Sequence, residues 1–521
     1  MTAMKLKKIP LPRFCQLLFL LLFLALFVMT EYRGNDRVSL AVNSFFRSDP
    51  LLAACYLLAE KSFTVLLLPA ALVALFTLVL GRFFCGWICP LGTVLDLVTT
   101  RVRKTAPLKF LQGNVKYWLL LPLLGAALFN VNLAGVLDPL AILVRALTFS
   151  LYPLLGDTVR QGWVGLYRIM GEGRDVLAPG YAVIRDYVLP FRETFYPLAF
   201  LSLAMFLGIL FLERYETRAW CRRLCPLGTL LGMLARFSPL HRIPATLCPD
   251  CGDCRSLCPT SFDGEALQRD ECIRCMECML RCRFQRIGFR FAPSGRGEPC
   301  LPERRVLLGG LLSGFFLARL FRFRLPDAQA RVLRPPGVRN EQEFLRKCVR
   351  CGECMKVCLK NALYPALFQT GLEGIYTPLL MPRLGYCEYS CTLCGQVCPT
   401  GAIPDLPVEA KRREVIGKAV IDRNHCLPYA RSVNCIVCEE HCPIPGKAIR
   451  AETEKVAGED GRPTILRKPY VVAEICIGCG ICENVCPIEG KSAIEVFAVK
   501  DRTPLVAHAG STGAPKDSPY P

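Results

Sequence analysis

Histidine is scarce in this chain. Only His241, His425, His441 and His508 occur in 521 residues, and none lies in an apolar stretch. A membrane haem b held by two axial histidines is therefore excluded, and no C-x2-C-H run offers a haem c attachment site. No G-x-G-x-x-G turn follows a strand-like stretch, so no dinucleotide fold is visible. Acidic residues are also few: 44 Asp and Glu stand against 64 Lys and Arg. The basic surplus is clustered beside apolar runs instead of being interleaved with aromatic residues. That pattern fits membrane flanks and not nucleic-acid binding.

Long apolar runs are plentiful. Residues 14–30, 62–81, 117–137 and 195–212 approach or reach the ~20 residues a bilayer-spanning helix needs. No small-residue cleavage site follows the first run, which reads as a retained anchor and not a signal peptide. Basic residues precede the first run (Lys5, Lys7, Lys8, Arg13), separate the second from the third (Arg101, Arg103, Lys104, Lys109) and follow the fourth (Arg214, Arg218, Arg222, Arg223). By the positive-inside rule these three regions are cytoplasmic. The expected organisation is a helical membrane domain at 1–240, followed by α+β domains of bacterial ferredoxin type.

Those domains are read from cysteine. Of 31 cysteines, 24 fall into six quartets. The first two, Cys248, Cys251, Cys254, Cys258 and Cys272, Cys275, Cys278, Cys282, have the C-x2-C-x2-C-x3-C spacing of a two-cluster ferredoxin. There, three close thiolates hold one [4Fe–4S] cluster and the fourth cysteine reaches the neighbouring one. This sets a two-cluster domain at 241–300, with Cys282 completing the first cluster and Cys258 the second. Structural zinc usually pairs two C-x2-C elements across a longer gap.

Four more quartets follow in a domain at 341–500. They are Cys348, Cys351, Cys354, Cys358; Cys387, Cys391, Cys394, Cys398; Cys426, Cys435, Cys438, Cys442; and Cys476, Cys479, Cys482, Cys486. The inner two have stretched spacing, a symmetry that suggests nested pairing. Cys486 would then complete the first cluster, Cys358 the fourth, and Cys398 and Cys442 would be exchanged. Sequential pairing uses the same sixteen ligands. Six [4Fe–4S] clusters are expected in all. Residues 501–521, rich in Pro, Gly and Ser, read as a disordered tail.

Between the blocks, in a linker at 301–340, Arg304 and Arg305 open an apolar, glycine-containing run through residue 320. It is similar to a twin-arginine export signal placed inside the chain, and is the candidate for a fifth span. On that reading the 341–500 domain is periplasmic. The alternative is a helix lying on the membrane, with both blocks cytoplasmic.

With these motifs assembled, the chain resembles a known pair of families. Residues 1 to about 300 resemble the NapH/MauN-type membrane ferredoxins and the membrane half of NosR. The remainder, with its twin arginines, "LRPPG" at 333–337 and "CTLCGQVCPTGAI" at 391–403, resembles the NapG/MauM-type four-cluster ferredoxins. The resemblance implies a fusion sitting in the bacterial inner membrane as part of a quinol dehydrogenase, relaying electrons between membrane quinol or a cytoplasmic donor and a periplasmic cytochrome or reductase.

Two features stand outside the quartets. "FCGWICPLGTVLD" at 84–96 recurs as "WCRRLCPLGTLLG" at 220–232, so that Cys85, Cys89, Cys221 and Cys225 sit at equivalent helix ends. Four such thiols suit a further iron–sulfur or redox site; otherwise they pack as small apolar groups. If they are working thiols that act on a partner, the protein is instead a maturation or reductase factor. A membrane-tethered cytoplasmic polyferredoxin is the third reading. Asp49 and Asp138 each begin an Asp-Pro-Leu step, as quinol proton acceptors or as helix N-caps with proline at the first helical position. Cys15, Cys55 and Cys300 stand alone as expected buried or incidental thiols.

Overall fold

The computed structural model describes residues 11–34, 36–38, 40–99, 115–170, 178–191, 194–244, 251, 254, 258–260, 262–263, 266–267, 271–282, 284, 287–291, 304–322, 332–457, 463–499, 502 and 504–505. Cys248, Cys300, His508 and the basic flanks at 5–8 and 101–109 lie outside them. The principal helices are Leu11–Met29 (α1), Pro50–Glu60 (α2), Leu68–Leu80 (α3), Pro90–Thr99 (α4), Val115–Leu128 (α5), Pro139–Ala146 (α6), Tyr152–Met170 (α7), Ala199–Leu212 (α8), Pro226–Ala235 (α9) and Arg304–Phe321 (α10).

The contacts at helix ends fix the architecture. At the start of α1, Arg13 pairs with Glu277 at 2.5 Å, and at its end Lys356 Nζ donates to the Thr30 carbonyl at 2.9 Å. Helix α3 runs the opposite way, from Leu66 against Gly401 to the Leu80 carbonyl, which accepts from Arg274 Nε at 3.2 Å. Helix α5 starts at Lys116, paired with Glu271, and leads to Asn132, whose Nδ2 donates to the Arg346 carbonyl at 2.9 Å. Helix α8 begins beside Tyr376, which meets Ser202 at 3.3 Å, and ends at Glu213 beside the second C-x3-C-P stretch. Residues 271–291 therefore sit at one end of the bundle, and residues 332–505 at the other.

Helix α10 lies parallel to α5 and joins the two ends. Val306 packs with Tyr117, and the Phe315 ring lies 5.0 Å from that of Phe129. Gly310, Gly314 and Ala318 recur every fourth residue and are buried. A Cβ on Gly314 would lie 2.6 Å from the Gly125 Cα, so the two backbones touch where both lack side chains. This is the small-residue packing that holds helices together where no hydrophobic effect acts between them.

Among the described residues, two helical stretches are long and apolar enough to cross a membrane, Leu11–Met29 and Pro139–Met170. The other expected spans are shorter helices, α3, α5 and α8. The third, expected to run through residue 137, stops at Leu128: Asn130 is left-handed at φ 62°, and Ala134–Leu137 forms a separate turn. Pro139–Met170 was not among the expected spans, and it contains Arg145. That guanidinium is buried by donating to the carbonyls of Gly135 (2.7 Å), Val136 (2.8 Å) and Arg350 (3.2 Å).

The ferredoxin blocks are built from two-stranded antiparallel ribbons and short helices, as ferredoxin repeats require. Leu240–Pro244 pairs with Ile287–Phe291, Lys418–Ile421 with Ile494–Phe497, and Ile449–Ala457 with Pro463–Val471. The start of the expected disordered tail is instead tied down. Arg502 donates to the Val338 carbonyl at 3.0 Å, and the Leu505 N–H to the Arg413 carbonyl at 2.9 Å.

Candidate metal centres

In the distal block two hollows are each lined by four cysteines. Cys348, Cys351, Cys354 and Cys398 line one. Cys426, Cys435, Cys438 and Cys486 line another. Cys391 and Cys394 lie within electrostatic range of both Cys387 and Cys358, and Cys479 within range of Cys476 and Cys442. The fourth thiol is thus exchanged between the first and second quartets, and between the third and fourth. Nested pairing is overturned; the sequential arrangement is the one present. Its physical reason is the fold itself, since each ribbon closes a quartet onto its sequence neighbour.

The thiol environments fit iron–sulfur clusters. Backbone N–H groups donate to sulfur at Cys358 (from Ala362, 3.3 Å), Cys398 (from Ile403, 3.4 Å) and Cys442 (from Ala448, 3.3 Å). Such bonds stabilise negative charge on sulfur and tune a cluster's potential. Burial pushes Cys391, Cys438 and Cys479 up to about 12, so the bare thiols keep their protons at neutral pH and metal loading must release them. Among the described residues no three His, Cys, Asp or Glu side chains are placed to hold a single metal ion.

In the proximal block Cys258, Cys272, Cys275 and Cys278 line a common hollow, as the spacing implies. Cys251, Cys254 and Cys282 are described, but their partner Cys248 lies outside the described residues.

The two C-x3-C-P stretches converge. In each copy proline opens the following helix, Pro90 in α4 and Pro226 in α9, and Cys225 caps α9 by accepting from the Gly228 N–H at 3.3 Å. Cys85, Cys89 and Cys225 are buried, and Cys89 and Cys225 both lie within electrostatic range of Cys85 and Cys221. An arginine stands three residues before the first cysteine of each copy, and each reaches across to the other copy. Arg218 donates to the carbonyls of Cys85 (2.8 Å) and Gly92 (3.3 Å), and Arg82 to that of Cys221 (3.3 Å). Both guanidiniums are buried, and each has a carboxylate: Asp96 at 2.7 Å from Arg218, Glu271 beside Arg82. This reciprocal clasp was missed in the sequence, although the matching arginine position was its signal.

At the opposite end, Asp49 and Asp138 are fully buried N-caps. Asp49 accepts from the N–H of Leu51 (2.8 Å) and Leu52 (3.1 Å), and Asp138 from that of Ala141 (2.8 Å). The two carboxyl groups lie within electrostatic range of each other, and the second oxygen of each is buried without a hydrogen-bond partner among the described residues. The lone Cys55 is buried in range of both. Of the histidines, His425 is an exposed partner of Asp422 at 2.9 Å and His441 bonds its own helix at Val437.

Residues 62–108 and 198–244, which contain the two C-x3-C-P copies, each match a family model described as a 4Fe-4S binding domain, and residues 469–490 match a second model of that description. The ferredoxin-type protein MauM of Methylorubrum extorquens is 37% identical over 173 residues, 31% of this chain and 76% of that protein. The chain belongs to the MauM family of ferredoxin-type proteins. MauM of Paracoccus denitrificans is 39% identical over 150 residues, 28% of this chain; the match spans only 65% of that relative's length. A ferredoxin-type protein NapH from Haemophilus influenzae is 29% identical over 308 residues, 54% of this chain and 90% of that protein. Relatives named MauM, NapG and NapH cover different parts of the chain, as in a fusion of a NapH-type with a MauM-type protein. No solved structure matches. This MauM-type chain is thus an iron–sulfur electron-transfer protein.

Proposed function

We propose that this chain is a fused quinol dehydrogenase component, in which a membrane bundle separates a cytoplasmic two-cluster block from a periplasmic four-cluster block. The observation that carries the reading is the seating of the two blocks at opposite ends of helices α1, α3, α5, α8 and α10. These helices alternate in direction, and α10 carries the chain from one block to the other. Helices of 14 residues, such as α5 and α8, rise only ~21 Å, so the bilayer must thin locally around them or be met by the flanking turns.

The 24 quartet cysteines hold six [4Fe–4S] clusters, and Cys85, Cys89, Cys221 and Cys225 hold a seventh iron–sulfur site at the cytoplasmic end. When bound, these clusters supply one-electron carriers. The protein's own part is to hold them in line and exclude water. One continuous apolar core contains Ile273 of the proximal block, thiols of both C-x3-C-P copies, and Val349 and Cys351 of the distal block. A quinol gives up two electrons and two protons; Asp49 and Asp138 would each accept one proton, and the two electrons would pass singly to a redox partner on the periplasmic side. Electrons from a cytoplasmic donor would enter through the two-cluster block instead.

Anaerobic addition of quinol to purified, loaded protein tests this. The clusters are expected to bleach as fully as with dithionite; bleaching by dithionite alone overturns the quinol role.

A further inference from the structure

The two C-x3-C-P copies are alike in their cysteines but differ between them, and the difference falls where the proximal block is seated. In the first copy the residues after Cys85 are Gly86 and Trp87; in the second, those after Cys221 are Arg222 and Arg223. A Cβ on Gly86 would lie 2.1 Å from the Ile273 carbonyl oxygen and 3.1 Å from its carbon, so the loop between Cys272 and Cys275 presses backbone against backbone there. Trp87 Nε1 donates to the Arg274 carbonyl at 2.9 Å. Arg274, left-handed at φ 56°, turns back to donate to the Leu80 carbonyl at 3.2 Å and the Leu240 carbonyl at 2.6 Å. Glu271, next to Cys272, holds Arg82. In the second copy Arg222 and Arg223 pair with Glu216, at 2.6 and 3.2 Å.

We propose that the first copy is the electron port between the membrane thiol site and the Cys272 quartet, with the Gly86–Ile273 contact as its narrowest seam. This deepens the proposed function and rests on its assignment of a redox centre to the four thiols. One electron crosses: the donor centre is oxidised by one as the acceptor is reduced by one, with no bond or proton moved. Only glycine lets the backbone of one cysteine loop touch that of the other, and each added ångström of separation slows the transfer.

The test uses full-length, cluster-loaded protein carrying Gly86→Leu, Trp87→Phe or Arg222→Leu. Iron per chain, the spin–spin interaction between reduced centres, and the freeze-quenched rate of electron exchange with the Cys272-quartet cluster are measured. Gly86→Leu is expected to keep its iron, lose the interaction and exchange electrons at least tenfold more slowly; Trp87→Phe, which removes one hydrogen bond, is expected to slow exchange about threefold. Unchanged exchange in both, or a greater loss in Arg222→Leu, overturns the port assignment. Should Gly86→Leu lose iron, Trp87→Phe decides alone. Failure of the underlying reading shows separately, as equal iron in the wild type and in a Cys221→Ala/Cys225→Ala double variant.

Discussion

The backbone N–H of Cys387 donates to the carbonyl of Cys479 at 2.9 Å. That bond places the second quartet of the distal block against the fourth. Together with the exchanged cysteines it orders the four centres along the block as first, second, fourth, third. The first lies beside the helical bundle, whose core Cys351 joins.

Paired substitutions check this order through iron content. Cys348→Ser with Cys398→Ser should cost a single cluster, about four irons, because both serve one site. Cys387→Ser with Cys398→Ser should cost two clusters, about eight. Nested pairing predicts two clusters lost in each case.

Total iron tests the seventh site. Anaerobic analysis should give about 28 irons per chain, and Cys85→Ala with Cys221→Ala should lower it by about four. A wild-type value of about 24 would leave the converged thiols without a cluster.

Gly314→Leu would force a side chain against Gly125. Overpacking of this kind costs about 1–3 kcal/mol, read as a lowered unfolding temperature in detergent. Leu308→Ala at the exposed face of the same helix should leave that temperature within about 0.5 kcal/mol equivalent.

Asp49→Asn and Asp138→Asn each remove one acid from the buried pair while keeping a capping oxygen. Quinol-driven bleaching is expected to slow at least tenfold, a general acid–base scale of loss, with dithionite bleaching unchanged. Equal quinol rates in wild type and both variants would reduce the pair to helix caps.

The cysteine quartets were legible in the sequence because ligand spacing is a local property. The exchange of fourth cysteines was not, since nested and sequential pairing use identical ligands and only the tertiary placement of Cys398 beside Cys348 and of Cys486 beside Cys426 separates them. The Asp-Pro-Leu caps at 49 and 138 were readable one at a time, but their meeting is a long-range contact. Hydropathy overran α5 because it does not register the left-handed Asn130, and the burial of Arg145 within Pro139–Met170 depends on the carbonyls of the nearby Gly135 and Val136 and of the remote Arg350, which hydropathy does not see. The arginines at 82 and 218 repeat with the cysteines and gave a signal that periodicity arguments do not weigh.

The central claim is that the two ferredoxin blocks lie on opposite sides of the membrane. Limited proteolysis of intact spheroplasts, followed by detection of tags in the 271–291 and 348–498 regions, tests it most directly. The account predicts cleavage within 348–498 and protection of 271–291 until the membrane is opened. Protection of both regions in intact spheroplasts would contradict it.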